Sequence, residues 1–140
     1  MVTRHIVTIL LMLPQFGLAA PARAKDQSFA SRTETGTYTG TGRACAGTLR
    51  ITAGHIVWNT PFSQCATSVY SVRDRHQDDN AQSVTFILKN PGPKCRYPVL
   101  LLTHGATADR RVGWNVVGFE SSRDYDPTKP ESGLSCYLVK

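Results

Sequence analysis

The stretch that decides the fold is CAGTLRITAGHIVWNTPFSQC, residues 45–65. Apolar side chains occupy every second position in its two runs: Leu49, Ile51, Ile56 and Trp58. A spacing of two is the period of a β-strand that buries one face. Ala53 and Gly54 separate the runs as a short turn, so the pattern predicts a hairpin in which Leu49 lies opposite Trp58.

The same spacing continues along the chain, and turn-forming residues interrupt it about every eight to twelve residues. The predicted strands are 35–43, 47–52, 55–60, 67–75, 83–89, 95–104, 112–119 and 134–140. No part of 25–140 has the period of an amphipathic helix. We therefore predict an all-β fold, a small antiparallel eight-stranded meander that closes into a barrel. A two-sheet sandwich is the alternative, and closure is favoured because it removes exposed strand edges.

Residues 1–24 have the features of a secretory signal peptide. A basic start is followed by the apolar run IVTILLML and by small residues before Lys25. The run is shorter than the roughly 18–20 residues that span a bilayer, so we expect no stable membrane anchor. The prediction is a single domain over 25–140, with 25–34 as a loose N-terminal segment, in a soluble bacterial protein that is periplasmic or secreted.

Four cysteines in an exported chain predict two disulfides. A zinc site is the alternative, but Cys45, Cys65, Cys95 and Cys136 lack the close pairing of zinc ligands. Three pairings are open. Cys45–Cys65 with Cys95–Cys136 is favoured, because the hairpin brings the first two cysteines within a short loop of each other.

The charge pattern argues against nucleic acid as a partner. The chain carries 16 Lys and Arg against 10 Asp and Glu, and its net charge of +6 falls to +4 once Arg4 and Arg23 are removed with the signal peptide. The basic residues are spread over strands and loops instead of being concentrated on one face. Weak attraction to an anionic surface or an acidic protein is one interpretation, and a solvated basic surface without a partner is the other.

Residue types that carry out catalysis are sparse, so the sequence predicts a protein that is not an enzyme and needs no cofactor. The chain has no H-x-x-x-H, H-E-x-x-H or G-x-S-x-G motif, and oxidised cysteines are not nucleophiles. The alternative is a metal-dependent hydrolase, in which one loop collects metal-ligating side chains: Asp74, His76, Asp78 and Asp79.

The interior of the predicted barrel is lined by bulky residues, which favours a packed core over a ligand cavity. The predicted inner face comprises Leu49, Ile51, Ile56, Trp58, Tyr70, Val72, Phe86, Leu88, Val99, Leu101, Trp114 and Val116. A hollow barrel is the alternative. It predicts a carrier of a small apolar ligand, with a cavity lined by Trp58, Phe86 and Trp114.

With a filled interior, the loops at the rim of the barrel become the predicted binding surface. The long connection 120–133 is the first candidate and 104–111 is the second. The predicted contact residues are Arg110, Arg111, Arg123, Tyr125 and Lys129. The expected partner is a protein or a cell-envelope component, and an inhibitor is one such protein. In predicted architecture, without a shared motif, the chain resembles the bacterial periplasmic inhibitors of lysozyme.

Overall fold

The structure, a computed structural model, describes residues 29–79, 81–105 and 113–140. Eight antiparallel strands follow one another in chain order around a closed barrel. They are β1 (Gly36–Gly40), β2 (Gly47–Ile51), β3 (His55–Thr60), β4 (Ser63–Gln77), β5 (Ala81–Lys89), β6 (Val99–Gly105), β7 (Gly113–Phe119) and β8 (Leu134–Val139). A 3-10 turn, Pro130–Ser132, precedes β8. The predicted all-β meander barrel is confirmed, and the sandwich is not formed.

The β2–β3 hairpin has the register that alternation predicted, with Leu49 opposite Trp58. Side chains of one phase point into the barrel, where they form a single buried cluster. Its members are Tyr38, Leu49, Ile51, Ile56, Trp58, Cys65, Val84, Phe86, Leu88, Tyr97, Leu100, Leu102, Trp114, Val116, Cys136 and Leu138. Gly118 lets the interior close tightly, because a Cβ there would lie 2.5 Å from the Trp58 ring.

The predicted inner face was wrong in β6. Leu100 and Leu102 join the interior cluster, whereas Val99 and Leu101, which we had predicted to point inward, lie in a separate cluster. β6 is apolar in both phases, so alternation could not identify its inner side. The separate cluster comprises Val99, Leu101, Val117 and Phe119, with Ile87 and Tyr125 packed against it.

The prediction of two disulfides is confirmed, but the favoured pairing was wrong. The bonds are Cys45–Cys136 and Cys65–Cys95. β4 begins at Ser63, earlier than predicted, and this places Cys65 inside the ladder opposite Trp58. Cys45 precedes Leu49 by four residues and lies farther along the barrel axis, out of reach of Cys65.

Barrel closure brings Cys45 to the last strand. β1 pairs with β8 through two residue pairs only, Thr39 with Val139 and Gly40 with Leu138. The Cys45–Cys136 bond joins the β1–β2 connection to β8, beside the shortest ladder of the barrel. We call this junction the seam.

Residues 29–34, part of the segment expected to be loose, instead pack across one end of the barrel, which we call the plugged end. Glu34 is fully buried there. Its carboxylate pairs with Arg75 and accepts a hydrogen bond from Gln82 Nε2 at 3.1 Å. The phenol of Tyr70 accepts the Ala30 backbone NH at 2.9 Å. A buried carboxylate must be paired, so the ion pair with Arg75 ties the segment to β4, and the hydrogen bond from Gln82 ties it to β5.

The predicted signal peptide, 1–24, lies outside the described residues. Within the described ranges, no helix has the length and apolar character needed to cross a membrane. Two disulfides are typical of proteins that function outside the reducing cytosol.

Candidate functional site: a groove on the outer wall of β3 and β4

The structure describes three of the five predicted rim residues. Arg110 and Arg111 lie outside the described residues, and the strands that flank them, β6 and β7, stop at the plugged end. The connection that carries Arg123, Tyr125 and Lys129 leaves β7 at the opposite end. We call that the disulfide end.

The long connection covers a wall of the barrel. Tyr125 packs edge-on against Phe119, with ring centroids 5.4 Å apart, and its hydroxyl lies 2.8 Å from Thr85 Oγ1. The Arg73 guanidinium lies 4.5 Å from the centre of the Tyr125 ring. Burial raises the pKa of the Tyr125 phenol, and the nearby Asp74 carboxylate raises it further. Tyr125 is therefore a packing residue.

The other two residues predicted on this connection are exposed. The Arg123 side chain extends into solvent, while its backbone NH bonds to Ser121 Oγ at 3.2 Å. The Lys129 ammonium lies 3.6 Å from the carboxylate of Asp126, three residues before it. Hydrogen bonds from Thr128 lower the pKa of that carboxyl group.

The residues of the metal-site alternative are not assembled. His76 Nε2 lies 3.3 Å from Asp78 Oδ2, while Asp78 Oδ1 accepts the Ala81 backbone NH at 2.6 Å. The Asp74 carboxylate faces Arg73 at 3.5 Å. Among the described residues, no three His, Cys, Asp or Glu side chains lie close enough together to hold a metal ion.

The largest concave feature that we describe was not predicted. It is a groove along the outer wall of β3 and β4, made of two adjoining cavities of 570 and 250 Å³ that share Val57 and Thr67. Its lining comprises Arg50, Thr52, His55, Val57, Asn59, Gln64, Cys65, Ala66, Thr67 and residues 91–94. We call this the β3–β4 groove. A third cavity, of 360 Å³, lies beside Tyr125.

One side of the groove is a segment of the β5–β6 connection, residues 91–94. Two backbone bonds hold this segment on β4: Gln64 N to Lys94 O at 3.0 Å, and Ala66 N to Pro91 O at 2.9 Å. The Cys65–Cys95 disulfide fixes the same segment covalently. Prolines at 91 and 93 stiffen it further because each has a fixed φ. The groove is consequently a preformed feature of the barrel.

Strand register aligns uncharged polar side chains across this wall. Thr39 lies opposite Thr48, Thr48 opposite Asn59, and Asn59 opposite Gln64. All four side chains are exposed. Neighbouring strands are about 4.8 Å apart, so the row presents a hydroxyl or amide at each strand over roughly 14 Å. We call these four residues the polar row.

β2 can approach β3 this closely because residue 47 is glycine. A Cβ at Gly47 would lie 1.9 Å from the Asn59 carbonyl oxygen, and its φ of +154° is one that side chains rarely adopt. The glycine thus allows Thr48 to lie directly beside Asn59.

Charge is segregated between the two sides of the molecule. Residues 35–73, which form β1 to β3 and much of β4, contain no Asp or Glu. The described carboxylates outside that range are Glu34, Asp74, Asp78, Asp79, Glu120, Asp124, Asp126 and Glu131. Arg50 and Lys94 are both exposed in the groove, and neither forms an ion pair with a carboxylate of the described residues.

The sequence-based prediction did not include the groove, because it assigned the binding surface to loops. The signal was nevertheless present in the sequence, as a 39-residue interval, 35–73, without a carboxylate. The presence of Lys94 in the groove could not be predicted from neighbouring residues in the sequence, since it depends on how the β5–β6 connection folds onto β4.

No protein-family model, no curated protein and no solved structure matches the chain.

Proposed function

We propose that the mature chain is an exported, non-enzymatic binding protein, periplasmic or secreted, that engages an acidic partner through the β3–β4 groove. The observation that carries this proposal is that Arg50 and Lys94, which form no ion pair with a described carboxylate, lie in a groove whose lining residues include no Asp or Glu. An anion in the groove meets attraction from both cations and no opposing charge nearby.

The distribution of reactive groups supports binding over catalysis. No described cysteine is free. The three described histidines serve different regions: His55 lines the groove, His76 lies beside Asp78, and His104 Nδ1 lies 2.7 Å from the Gly113 carbonyl oxygen. A catalytic site usually brings several such groups together, and the three described histidines lie in separate places.

The interior packing also disfavours a ligand carrier. Trp58 and Phe86 are fully buried, and Trp114 is nearly so. None of the three cavities described above is lined by any of these side chains.

The experiment compares the groove with the predicted rim loop. The double variant Arg50→Gln/Lys94→Gln removes two positive charges from the groove, and Arg123→Gln/Lys129→Gln removes two from the long connection. Each oxidised protein is titrated with poly-L-glutamate and with polygalacturonate by calorimetry at low and high salt. We expect the groove variant to lose at least tenfold in affinity for every polyanion that the wild type binds, and the loop variant to lose less than twofold. Salt should weaken wild-type binding because it screens exposed charges.

Thermal unfolding controls for folding in both variants, since exposed substitutions of this kind change stability by roughly 0.5 kcal/mol or less. Equal losses in the two variants would show that only net charge matters and would contradict a groove site. A loss confined to the loop variant would return the site to the rim.

A further inference from the structure

The geometry points to a linear anionic polysaccharide, a sugar polymer with carboxylate groups, as the occupant of the β3–β4 groove. This inference rests on the proposed function and specifies its ligand class. Charge complementarity with Arg50 and Lys94 accounts for the carboxylates. Asn59 and Gln64, the two residues of the polar row that line the groove, account for the sugar hydroxyls.

The backbone of the groove offers little to an extended peptide. Peptides that add to a sheet need a free strand edge, where main-chain groups are unpaired. Here β2 pairs with β1 and β3, and β3 pairs with β2 and β4. On β4, the backbone N–H groups of Gln64 and Ala66 already donate hydrogen bonds to the carbonyl oxygens of Lys94 and Pro91. The ligand must therefore be recognised mainly by side chains.

The uncharged polar side chains that line the groove suit hydroxyl groups. The Asn59 and Gln64 amides each present two donors and a carbonyl acceptor, and the Thr67 hydroxyl donates and accepts. A sugar hydroxyl also donates and accepts, so it can satisfy these groups in pairs. A polypeptide carboxylate only accepts, so it can pair with the N–H groups of these amides and not with their carbonyls.

The floor of the groove is aliphatic and small. Val57 and Ala66 line it, the two prolines at 91 and 93 lie beside it on the 91–94 side, and no Phe, Tyr, Trp or Met side chain lines either. Protein interfaces are usually anchored by large aromatic or Met side chains in pockets, and this groove supplies none of its own. A shallow apolar floor with polar edges matches a sugar ring, which has C–H groups on its faces and hydroxyls at its rim.

The groove is elongated in the direction that a polymer requires. Asn59 and His55 are four residues apart on β3, so the lined part of this strand extends over about 13 Å. Lys94 lies beside Gln64 at one end, and Arg50 lies opposite Val57 toward the other. Two cations separated along one groove fit charges that recur along a chain.

The test uses three polymers that separate charge from hydroxyl groups. Polygalacturonate carries both, poly-L-glutamate carries only the carboxylates, and dextran carries only the hydroxyls. We expect the oxidised mature protein to bind polygalacturonate at least tenfold more tightly than poly-L-glutamate, and dextran more weakly than either.

The double variant Asn59→Ala/Gln64→Ala should weaken binding to polygalacturonate at least tenfold and change binding to poly-L-glutamate less than twofold. Gln77→Ala/Asn115→Ala is the matched control, because it removes one Gln and one Asn from exposed positions outside the groove. It should change neither affinity by more than twofold.

The outcomes distinguish the two proposals. Equal binding to the two charged polymers, or equal weakening of both by Asn59→Ala/Gln64→Ala, overturns the polysaccharide and leaves an acidic protein as the partner. Binding to neither charged polymer overturns the proposed function as well. Tight binding to dextran shows that Arg50 and Lys94 are not needed, and it contradicts both.

Discussion

Two walls of the same barrel differ in the polarity of their outward-facing side chains. The wall of β5 to β7 directs apolar side chains outward, Val99, Leu101 and Val117 among them, and the long β7–β8 connection helps to bury that patch with Tyr125. The wall of β1 to β4 carries threonines, amides and basic groups, and in it the β3–β4 groove is open to solvent. Both walls follow the same strand geometry, so the difference arises from the outward-facing residues.

The comparison shows that loop length is an ambiguous indicator of function. An apolar outer face is unfavourable in water, at about 25 cal/mol for each Å² exposed, and a long connection can supply the cover. Connection 120–133 does this here, through contacts of Tyr125 with Phe119 and Thr85. The wall that needs no cover is the one that remains available to a partner.

Removal of each disulfide gives the largest expected effects. The chain-entropy relation predicts a loss of about 5 kcal/mol for Cys45→Ala/Cys136→Ala and about 4 kcal/mol for Cys65→Ala/Cys95→Ala, because the first bond closes a longer loop. Urea denaturation measures both. Only the second variant should also weaken polyanion binding, since Cys95 fixes the segment that carries Lys94.

One result would contradict the expected difference in polyanion binding between the two disulfide variants. If loss of Cys45–Cys136 weakens polyanion binding as much as loss of Cys65–Cys95, when both variants are compared at a temperature where each is folded, the groove is not held by its own bond. The open wall would then depend on the whole barrel.

Substitution of Tyr125 tests the covered wall. Tyr125→Ala should lower the free energy of unfolding by about 2 kcal/mol, since it removes a half-buried ring from Phe119. Tyr125→Phe keeps the ring and loses the hydrogen bond to Thr85, at a cost of about 1 kcal/mol. Both variants should bind polyanions as the wild type does. Weakened binding with unchanged stability would restore Tyr125 as a contact residue.

Alkaline pH should give the smallest loss of stability against unfolding, and the loss should arise in the covered wall. Burial raises the pKa of Tyr125 above the value of about 10 that a tyrosine has in the unfolded chain. Below that pH both states hold the proton. Above it the unfolded state loses the proton first, so stability falls as pH rises through the folded-state pKa.

The matched variant for this pH dependence is Tyr125→Phe. Burial also raises the pKa values of Tyr38 and Tyr70, so the variant should still lose stability with pH, but less steeply than the wild type. Urea midpoints at intervals between about pH 9 and about pH 11 measure the two slopes. Identical slopes would show that the Tyr125 phenol is equally accessible in the folded and unfolded chains.

The sequence predicted the barrel and the hairpin register because one-sided burial sets a clear alternation, as at Leu49, Ile51, Ile56 and Trp58. It could not orient β6, where both phases are apolar. The inversion of Val99 and Leu101 follows from that ambiguity, which only the covering connection resolves.

The disulfide pairing and the groove depend on contacts between distant parts of the chain. Cys45 meets Cys136 because β1 closes onto β8, and Lys94 reaches the groove because residues 91–94 bond to β4. No local pattern contains either contact. The placement of the predicted rim residues depends on the same kind of information, since strand direction determines which connections share an end of the barrel.

The seam gives the barrel a dependence on oxidation. β4 and β5 are joined through eight residue pairs, whereas β1 and β8 share only two, beside the Cys45–Cys136 bond. A reduced chain would keep its hairpins but lack the covalent bond at its weakest junction. Opening there would turn the barrel into a sheet with two free edges, a form prone to self-association. Formation of the Cys45–Cys136 bond would then act as the step that converts an open, aggregation-prone form into a closed protein.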